Sequence, residues 1–142
     1  MKALCRFIPL AAITLSSALL AACVASPDDV ALLNADHALA QRSQHGLIEA
    51  TVAANSAEIR RGPNDFSITL QAVDGSSVPV LTGMEASMAA HGHHVSASSI
   101  VSDGQTWKAV DLDLFMSGRW QITLGLELEA SSDLVEFALD VP

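Results

Sequence analysis

The sequence predicts an all-β protein built as an antiparallel β-sandwich. After Gly46, apolar and polar residues alternate with a period of two, which is typical of strands that bury one face. Turn-forming pairs, among them Asp74-Gly75 and Ser117-Gly118, separate the alternating segments at short intervals. About seven strands of this kind in one domain are typical of a sandwich of immunoglobulin type.

Each predicted strand rests on its own alternation. The clearest one starts at Trp120, after which every second residue as far as Leu128 is apolar. In the strand before it, Val110, Leu112 and Leu114 are expected to share the buried face. The predicted strands cover residues 48–54, 66–72, 95–101, 107–114, 120–128 and 135–141, together with a short piece over residues 78–81 and the extended stretch 82–89 that follows it; residues 60–65 are a predicted turn.

The first 22 residues have the features of a secretory signal peptide. A short basic start is followed by an apolar run over residues 7–20, which is too short to span a membrane comfortably as a helix. The run ends in Leu20-Ala-Ala-Cys23, which resembles a bacterial lipobox and implies that Cys23 is lipidated and becomes the first residue. The alternatives are an ordinary signal peptide or an uncleaved helix.

The lipobox predicts an envelope location. Several acyl chains on Cys23 would anchor the protein stably to a membrane. Val24 stands where many proteins retained at the inner membrane have aspartate, so we expect the periplasmic face of the outer membrane. Residues 23–45 are predicted to be a lipidated tether that serves as a spacer; the alternative is a short, marginal helix over residues 30–40 capped by Asp29. The sandwich is predicted to occupy residues 46–142.

Charge and cysteine content exclude several classes of function. The chain has 16 acidic residues against seven Lys and Arg, and two of those seven, Lys2 and Arg6, lie in the predicted signal peptide. Such an acidic body argues against nucleic acid and against anionic lipid as partners. The only cysteines are Cys5 and Cys23, so the sandwich has none for a disulfide, a thiolate metal site or a nucleophile.

The stretch from Thr82 to His94 concentrates the side chains that could bind a soft metal. It holds five candidate ligands, and a sixth lies further along the chain. Thioether and imidazole donors without cysteine favour copper over structural zinc. The candidates are Met84, Met88, His91, His93, His94 and Met116.

Strand geometry narrows this set. If the stretch is extended, Met84 and Met88 share one face but lie about 13 Å apart, too far to bind one ion. Met88 with His91 or His93 is the more plausible pair, with Met116 brought alongside from another strand. The alternative is structural: methionine fills gaps in cores, and a His-Gly-His-His run can be a solvated turn.

No other chemistry is supported by a motif. No Gly-x-Ser-x-Gly elbow surrounds Ser96, Ser98 or Ser99, and no phosphate-binding glycine loop is present. Asp111 and Asp113 are explained as solvent-facing strand residues. We therefore predict that the protein is not an enzyme. His37 and His45, near the predicted tether, are the remaining histidines that could approach the metal candidates.

The order of short motifs resembles the YtkA-like and FixH-like family of periplasmic domains. The resemblance spans residues 46–142, and the motifs that carry it are Gly62-Pro-Asn-Asp-Phe66, Asp74-Gly75, Val78-Pro-Val80, Met88-Ala-Ala-His-Gly-His93 and Met116-Ser-Gly-Arg-Trp120. It implies an immunoglobulin-like sandwich on the outer side of a bacterial membrane, in a family with one branch linked to assembly of copper-containing cytochrome oxidase.

The resemblance also implies a site. Met88, His91 and His93 occupy one family motif, and Met116 and Trp120 occupy another. Two departures are visible: Ala89 stands where the family often has proline, and a lipobox replaces the membrane helix of the FixH-like branch. We therefore expect copper handling by a lipid-anchored domain. The alternative is a non-catalytic module that docks an envelope protein through a sheet edge or the loop at His91 and binds no metal.

Overall fold

A computed structural model describes residues 30–75, 77–104, 106–129 and 131–142. The predicted signal peptide and Cys23 lie outside these residues. The described part contains ten strands and a short 3-10 helix over Ala89–His91. The strands are β1 (Leu32–Leu33), β2 (Leu39–Arg42), β3 (Ile48–Ala54), β4 (Gly62–Ala72), β5 (Val80–Met88), β6 (His93–Ser96), β7 (Ser99–Ser102), β8 (Thr106–Leu114), β9 (Gly118–Leu128) and β10 (Ser131–Val141).

The strands form two five-stranded sheets that pack as a sandwich, which confirms the predicted fold class. One sheet has the order β1-β10-β9-β5-β6 and the other the order β2-β3-β4-β8-β7. Neighbouring strands are antiparallel, apart from the parallel pair β1–β10. The groups β3-β4-β8-β7 and β10-β9-β5-β6 have the strand order of an immunoglobulin-like fold.

The core lies between the sheets and contains the apolar half of each alternating strand. Its largest side chains are Trp120, Phe66 and Phe137, none of which is exposed to solvent. Complete burial of an aliphatic or phenyl side chain of this kind contributes about 1.5–3 kcal/mol. The core therefore supplies the stability that a domain without disulfides requires.

The chain before Gly46 belongs in part to the sandwich, since residues 32–33 and 39–42 form strands instead of the alternative helix over residues 30–40. Leu33 of β1 is buried beside β10, and Leu39 of β2 packs against the core. The alternative helix has only a small apolar face, so it is marginal by itself. Burial of Leu33 and partial burial of Leu39 as strand residues outweigh that weak local preference. The sandwich thus begins well before residue 46.

The register of β8 differs from the predicted one because of a bulge. Ala109, Leu112 and Leu114 are buried, whereas Val110 is only half-buried. The pairing with β4 shifts between Phe66–Ala109 and Asn64–Leu112, which inserts one extra residue in β8. Asp111 adopts a positive φ of 54° there. Val110 is therefore out of phase with Leu112, contrary to the prediction.

Two further boundaries differ from the prediction. The single strand predicted over residues 95–101 is two strands, since the chain leaves β5 after Ser96 and joins β8 in the other sheet from Ser99. β4 starts at Gly62, inside the predicted turn, and the buried Asn64 side chain closes the preceding loop. Its Nδ2 donates to the carbonyls of Arg60 and Gly62 at 2.7 and 2.8 Å.

Candidate functional site

The end of β5 and the start of β6 bring two of the predicted ligands together. Met88 lies directly opposite His93 in the antiparallel pairing, so both side chains project to the same face. Met88 is buried, and His93 is half-buried at the rim of the core. The 3-10 turn over Ala89–His91 reverses the chain between them, and Gly92 permits it by adopting a left-handed φ of 66°.

A row of aromatic rings extends from this turn to the loop between β8 and β9. The His91 and His93 rings are stacked, with centroids 6.1 Å apart and planes inclined by 24°. The His93 ring also meets Phe115 edge to face at 5.0 Å. Phe115 in turn meets the buried Trp120 edge to face at 5.6 Å. His93 is thus held between a second imidazole and an aromatic wall.

The corner that starts β9 closes the other side of the group. The Trp120 indole N–H donates to the carbonyl of Met116 at 3.0 Å, which fixes this loop against the core. A Cβ built on Gly118 would lie 3.4 Å from Cε of Met88. The Met88 methyl group therefore packs against the corner that carries Met116. We call the group formed by Met88, His91, His93, Phe115, Met116 and Trp120 the Met/His corner.

The spacing of the two imidazoles suits one bound ion. Two imidazole nitrogens on opposite sides of an ion hold their ring centroids roughly 6.4 Å apart, given metal–nitrogen distances of about 2.0–2.1 Å. The observed 6.1 Å lies within that limit, so the separation of the two rings is compatible with one shared ion. Within the described residues, no three His, Cys, Asp or Glu side chains could hold a metal together.

Two predicted ligands lie apart from the Met/His corner. Met84 is buried in the middle of the core, where its strand position faces Leu124 of β9, about 13 Å along β5 from Met88. His94 projects to the opposite face of β6 from His93. Its Nε2 lies 3.6 Å from a carboxylate oxygen of Glu85 on the outer surface.

His45 is held at the opposite end of the sandwich. Its backbone N–H donates to Oδ1 of the buried Asp133 at 3.1 Å, and its Nδ1 lies 3.2 Å from the same oxygen. Burial by itself would raise the pKa of Asp133, but the nearby Ser43 hydroxyl, the N–H groups of His45 and Leu134 and the charge of His45 together lower it. Ser43 Oγ accepts the N–H of Ile48 at 2.9 Å, so this group is a structural clamp.

Sequence reasoning missed the part that Phe115 plays. Phe115 follows the buried Leu114, so the alternation places it on the solvent side, and 43% of it is exposed. An aromatic residue in an outward phase immediately before Met116 was the available signal. The role of Phe115 becomes apparent only when the β8–β9 corner is folded against His93.

No protein-family model, curated protein or solved structure matches this chain.

Over the described ranges, no helix has the length and apolar character needed to cross a membrane.

Proposed function

We propose that this protein is a lipid-anchored protein of the bacterial envelope that binds copper at the Met/His corner and sequesters or delivers it. The observation that supports this function is the pairing of Met88 with His93 beside a second imidazole 6.1 Å away. Thioether and imidazole together form a donor set suited to copper. No motif in the sequence supports a catalytic site, so we propose binding without catalysis.

The proposed location rests on the sequence. The lipobox at Cys23 supports a lipid anchor, and Val24 supports the periplasmic face of the outer membrane. Membership of the YtkA-like and FixH-like family stays a prediction, carried by the order of its motifs. The net charge of −9 over the whole chain supports metal cations, rather than nucleic acid, as the natural cargo.

The test compares two neighbouring histidines that project to opposite faces of β6. The full chain, purified in detergent, is titrated with Cu(I) without oxygen against a chromogenic chelator. We expect one equivalent to bind, with affinity about 10–100-fold lower in His93→Ala and unchanged within about twofold in His94→Ala. Equal affinities in the wild type and in the double variant His91→Ala/His93→Ala would show that the corner is not the site.

A second candidate function is docking of an envelope protein along a sheet edge. β6 pairs with β5 from Glu85 to Met88, and the following Ala97 N–H donates to the Met84 carbonyl, so residues 80–83 lack a paired strand on that side among the described residues. Val78 and Val80, which lie just before and at the start of β5, are 79% and 41% exposed. An uncovered strand with apolar neighbours is suited to pairing with an extended peptide.

A pull-down from envelope extract distinguishes the copper-binding function from the docking function. Capture that persists in the presence of a copper chelator but is lost in Val80→Lys supports the edge of β5. Capture that requires copper and survives Val80→Lys supports the Met/His corner.

A further inference from the structure

Phe115 occupies an unusual position for a large apolar side chain. It lies in the loop between β8 and β9 with 43% of its surface exposed. Two edge-to-face contacts hold its ring there, one to His93 at 5.0 Å and one to Trp120 at 5.6 Å. Trp120 is itself fixed by its hydrogen bond to the carbonyl of Met116. The Phe115 ring is therefore positioned by the buried core rather than free to turn into solvent.

This position makes one wall of the Met/His corner apolar. The side chains that flank His93 on this side are those of Met88 and Phe115, with Trp120 behind Phe115, and none of the three carries a charge. Phe115 packs at 75° to the His93 ring and thereby limits the space in which water could reach an ion beside that ring. An apolar shell of this kind controls solvent access and the local dielectric at a metal site.

Exclusion of water affects the binding of Cu(I) differently from the binding of Cu(II) and Zn(II). Cu(I) is soft, accepts thioether ligands and needs no water to complete a low coordination number. Cu(II) and Zn(II) are harder ions that bind thioethers weakly, so at this corner water would have to supply their ligands beyond the two imidazoles. Excluding water therefore penalises the divalent ions more than Cu(I).

We infer that Phe115 is the residue that sets the metal specificity of the Met/His corner, by shielding the ion beside His93 from water so that Cu(I) is preferred over Cu(II) and Zn(II). This inference rests on the proposed copper-binding function. It assigns to Phe115 a positioning and shielding role, not a role as a ligand. It also explains why an exposed aromatic side chain lies beside the half-buried histidine.

The experiment measures the ratio of Cu(I) to Cu(II) affinity in the full-length protein in detergent. Three variants are compared with the wild type: Phe115→Ser opens the wall to water, Phe115→Leu keeps an apolar wall without an aromatic ring, and Val73→Ala changes a similarly exposed apolar residue at the other end of the sandwich. We expect the ratio to fall about tenfold or more in Phe115→Ser, through tighter Cu(II) binding. It should stay within about threefold of the wild type in the other two variants.

A measurement without metal establishes that the contact exists in solution. In the metal-free protein the ring current of Phe115 should displace the ring-proton resonances of His93, and this displacement should disappear in Phe115→Ser but persist in Val73→Ala. Its presence in Phe115→Ser as well would show that Phe115 does not position His93 and would overturn the inference.

The possible results distinguish failure of the Phe115 inference from failure of the proposed copper-binding function. A wild-type protein that binds no copper overturns both. A wild-type protein that binds Cu(I) through His93, with an unchanged affinity ratio in Phe115→Ser, leaves the copper function standing and overturns the role of Phe115. An equal loss in Phe115→Leu and Phe115→Ser also overturns shielding, since the apolar wall would then be irrelevant.

Discussion

Asp133 and His45 lie 88 residues apart in the sequence, and the N–H of His45 donates to the Asp133 carboxylate at 3.1 Å. Leu134 donates its own N–H to the same oxygen at 2.8 Å. The turn between β2 and β3 belongs to one sheet and Asp133 to β10 of the other. One buried carboxylate thus ties the two sheets together at the end of the sandwich opposite the Met/His corner.

This clamp predicts a loss of stability in acid. The pKa of Asp133 is lower in the folded protein than its ordinary value because the donors around it outweigh the effect of burial. A lowered pKa contributes stability that is fully present above the unfolded value of about 3.9 and is lost as pH falls through the folded value. We expect the urea concentration at which half of the protein is unfolded to decrease when the pH is lowered below about 4.

Asp133→Ala should lower the free energy of unfolding at pH 7 by about 1–3 kcal/mol, because two backbone N–H groups lose their acceptor. The variant should also lose less stability in acid than the wild type. Asp113→Ala is the control, because Asp113 is exposed on β8. Parallel pH profiles for Asp133→Ala and the wild type would refute the assignment of the acid dependence to Asp133.

The two methionines of β5 allow a controlled test of the copper site, because Met88 belongs to the Met/His corner and Met84 does not. Met84 and Met88 are both buried, and replacement of either by leucine conserves volume and should cost less than about 1.5 kcal/mol. Only Met88 lies opposite His93. We expect Met88→Leu to lower Cu(I) affinity about tenfold or more and Met84→Leu to leave it unchanged. Competition titrations measure both, and equal losses would exclude a specific role for the Met88 thioether.

Much of this fold follows from period-two alternation, and the failures have local causes. The strand from Trp120 to Leu128 was fully predictable because its alternation is unbroken. β8 was predictable as a strand, but its register was not. A bulge at Asp111 shifts the alternation of buried and exposed residues, and no glycine in the sequence marks its position. β1 and β2 are too short to show a period, and their strand pairing comes from contacts distant in sequence.

The Met/His corner was predictable only in part for the same reason. The sequence indicates that Met88, His91 and His93 are close together because they are close in the chain. The inclusion of Phe115 and Trp120 depends on how the β8–β9 corner folds over β6, a contact that no local pattern encodes. Conversely, strand geometry separates Met84 from the group, and this separation was correctly deduced from spacing.

Gly118 is a position where the backbone demands glycine. Its φ of 121° lies in a region that side chains disfavour, and an added Cβ would meet Cε of Met88 at 3.4 Å. We expect Gly118→Ala to lower the free energy of unfolding by about 1–3 kcal/mol. Gly83→Ala is the control, because Gly83 has no atom within 4 Å of an added Cβ and no positive φ.

Chemical denaturation measures both glycine variants. Gly83→Ala should be neutral or stabilising by about 0.5–1 kcal/mol, as expected for alanine in place of glycine in a strand. If Gly118→Ala proves as stable as Gly83→Ala, the corner is not strained by a side chain and the packing of Met88 against it is not required.

Gly125 and Thr82 form a pair whose energetic coupling a double-mutant cycle can measure. The register between β5 and β9 shifts between Leu81 and Gly83, which leaves Thr82 as an extra residue. A Cβ added at Gly125 would lie 2.7 Å from Oγ1 of Thr82, closer than atoms of this kind approach. Gly125→Ala should therefore destabilise the protein by about 1–2 kcal/mol, because the Thr82 side chain must leave its position.

Removing the Thr82 hydroxyl relieves this conflict. In the Thr82→Ala background, Gly125→Ala should cost less than about 0.5 kcal/mol, which gives a coupling energy of about 1 kcal/mol between residues in contact. Thr82→Ser keeps the oxygen and serves as the control, so the cost of Gly125→Ala should be retained in it. Additive effects in all three backgrounds would mean that the glycine at position 125 is there for its backbone freedom and not to accommodate the bulge in β5.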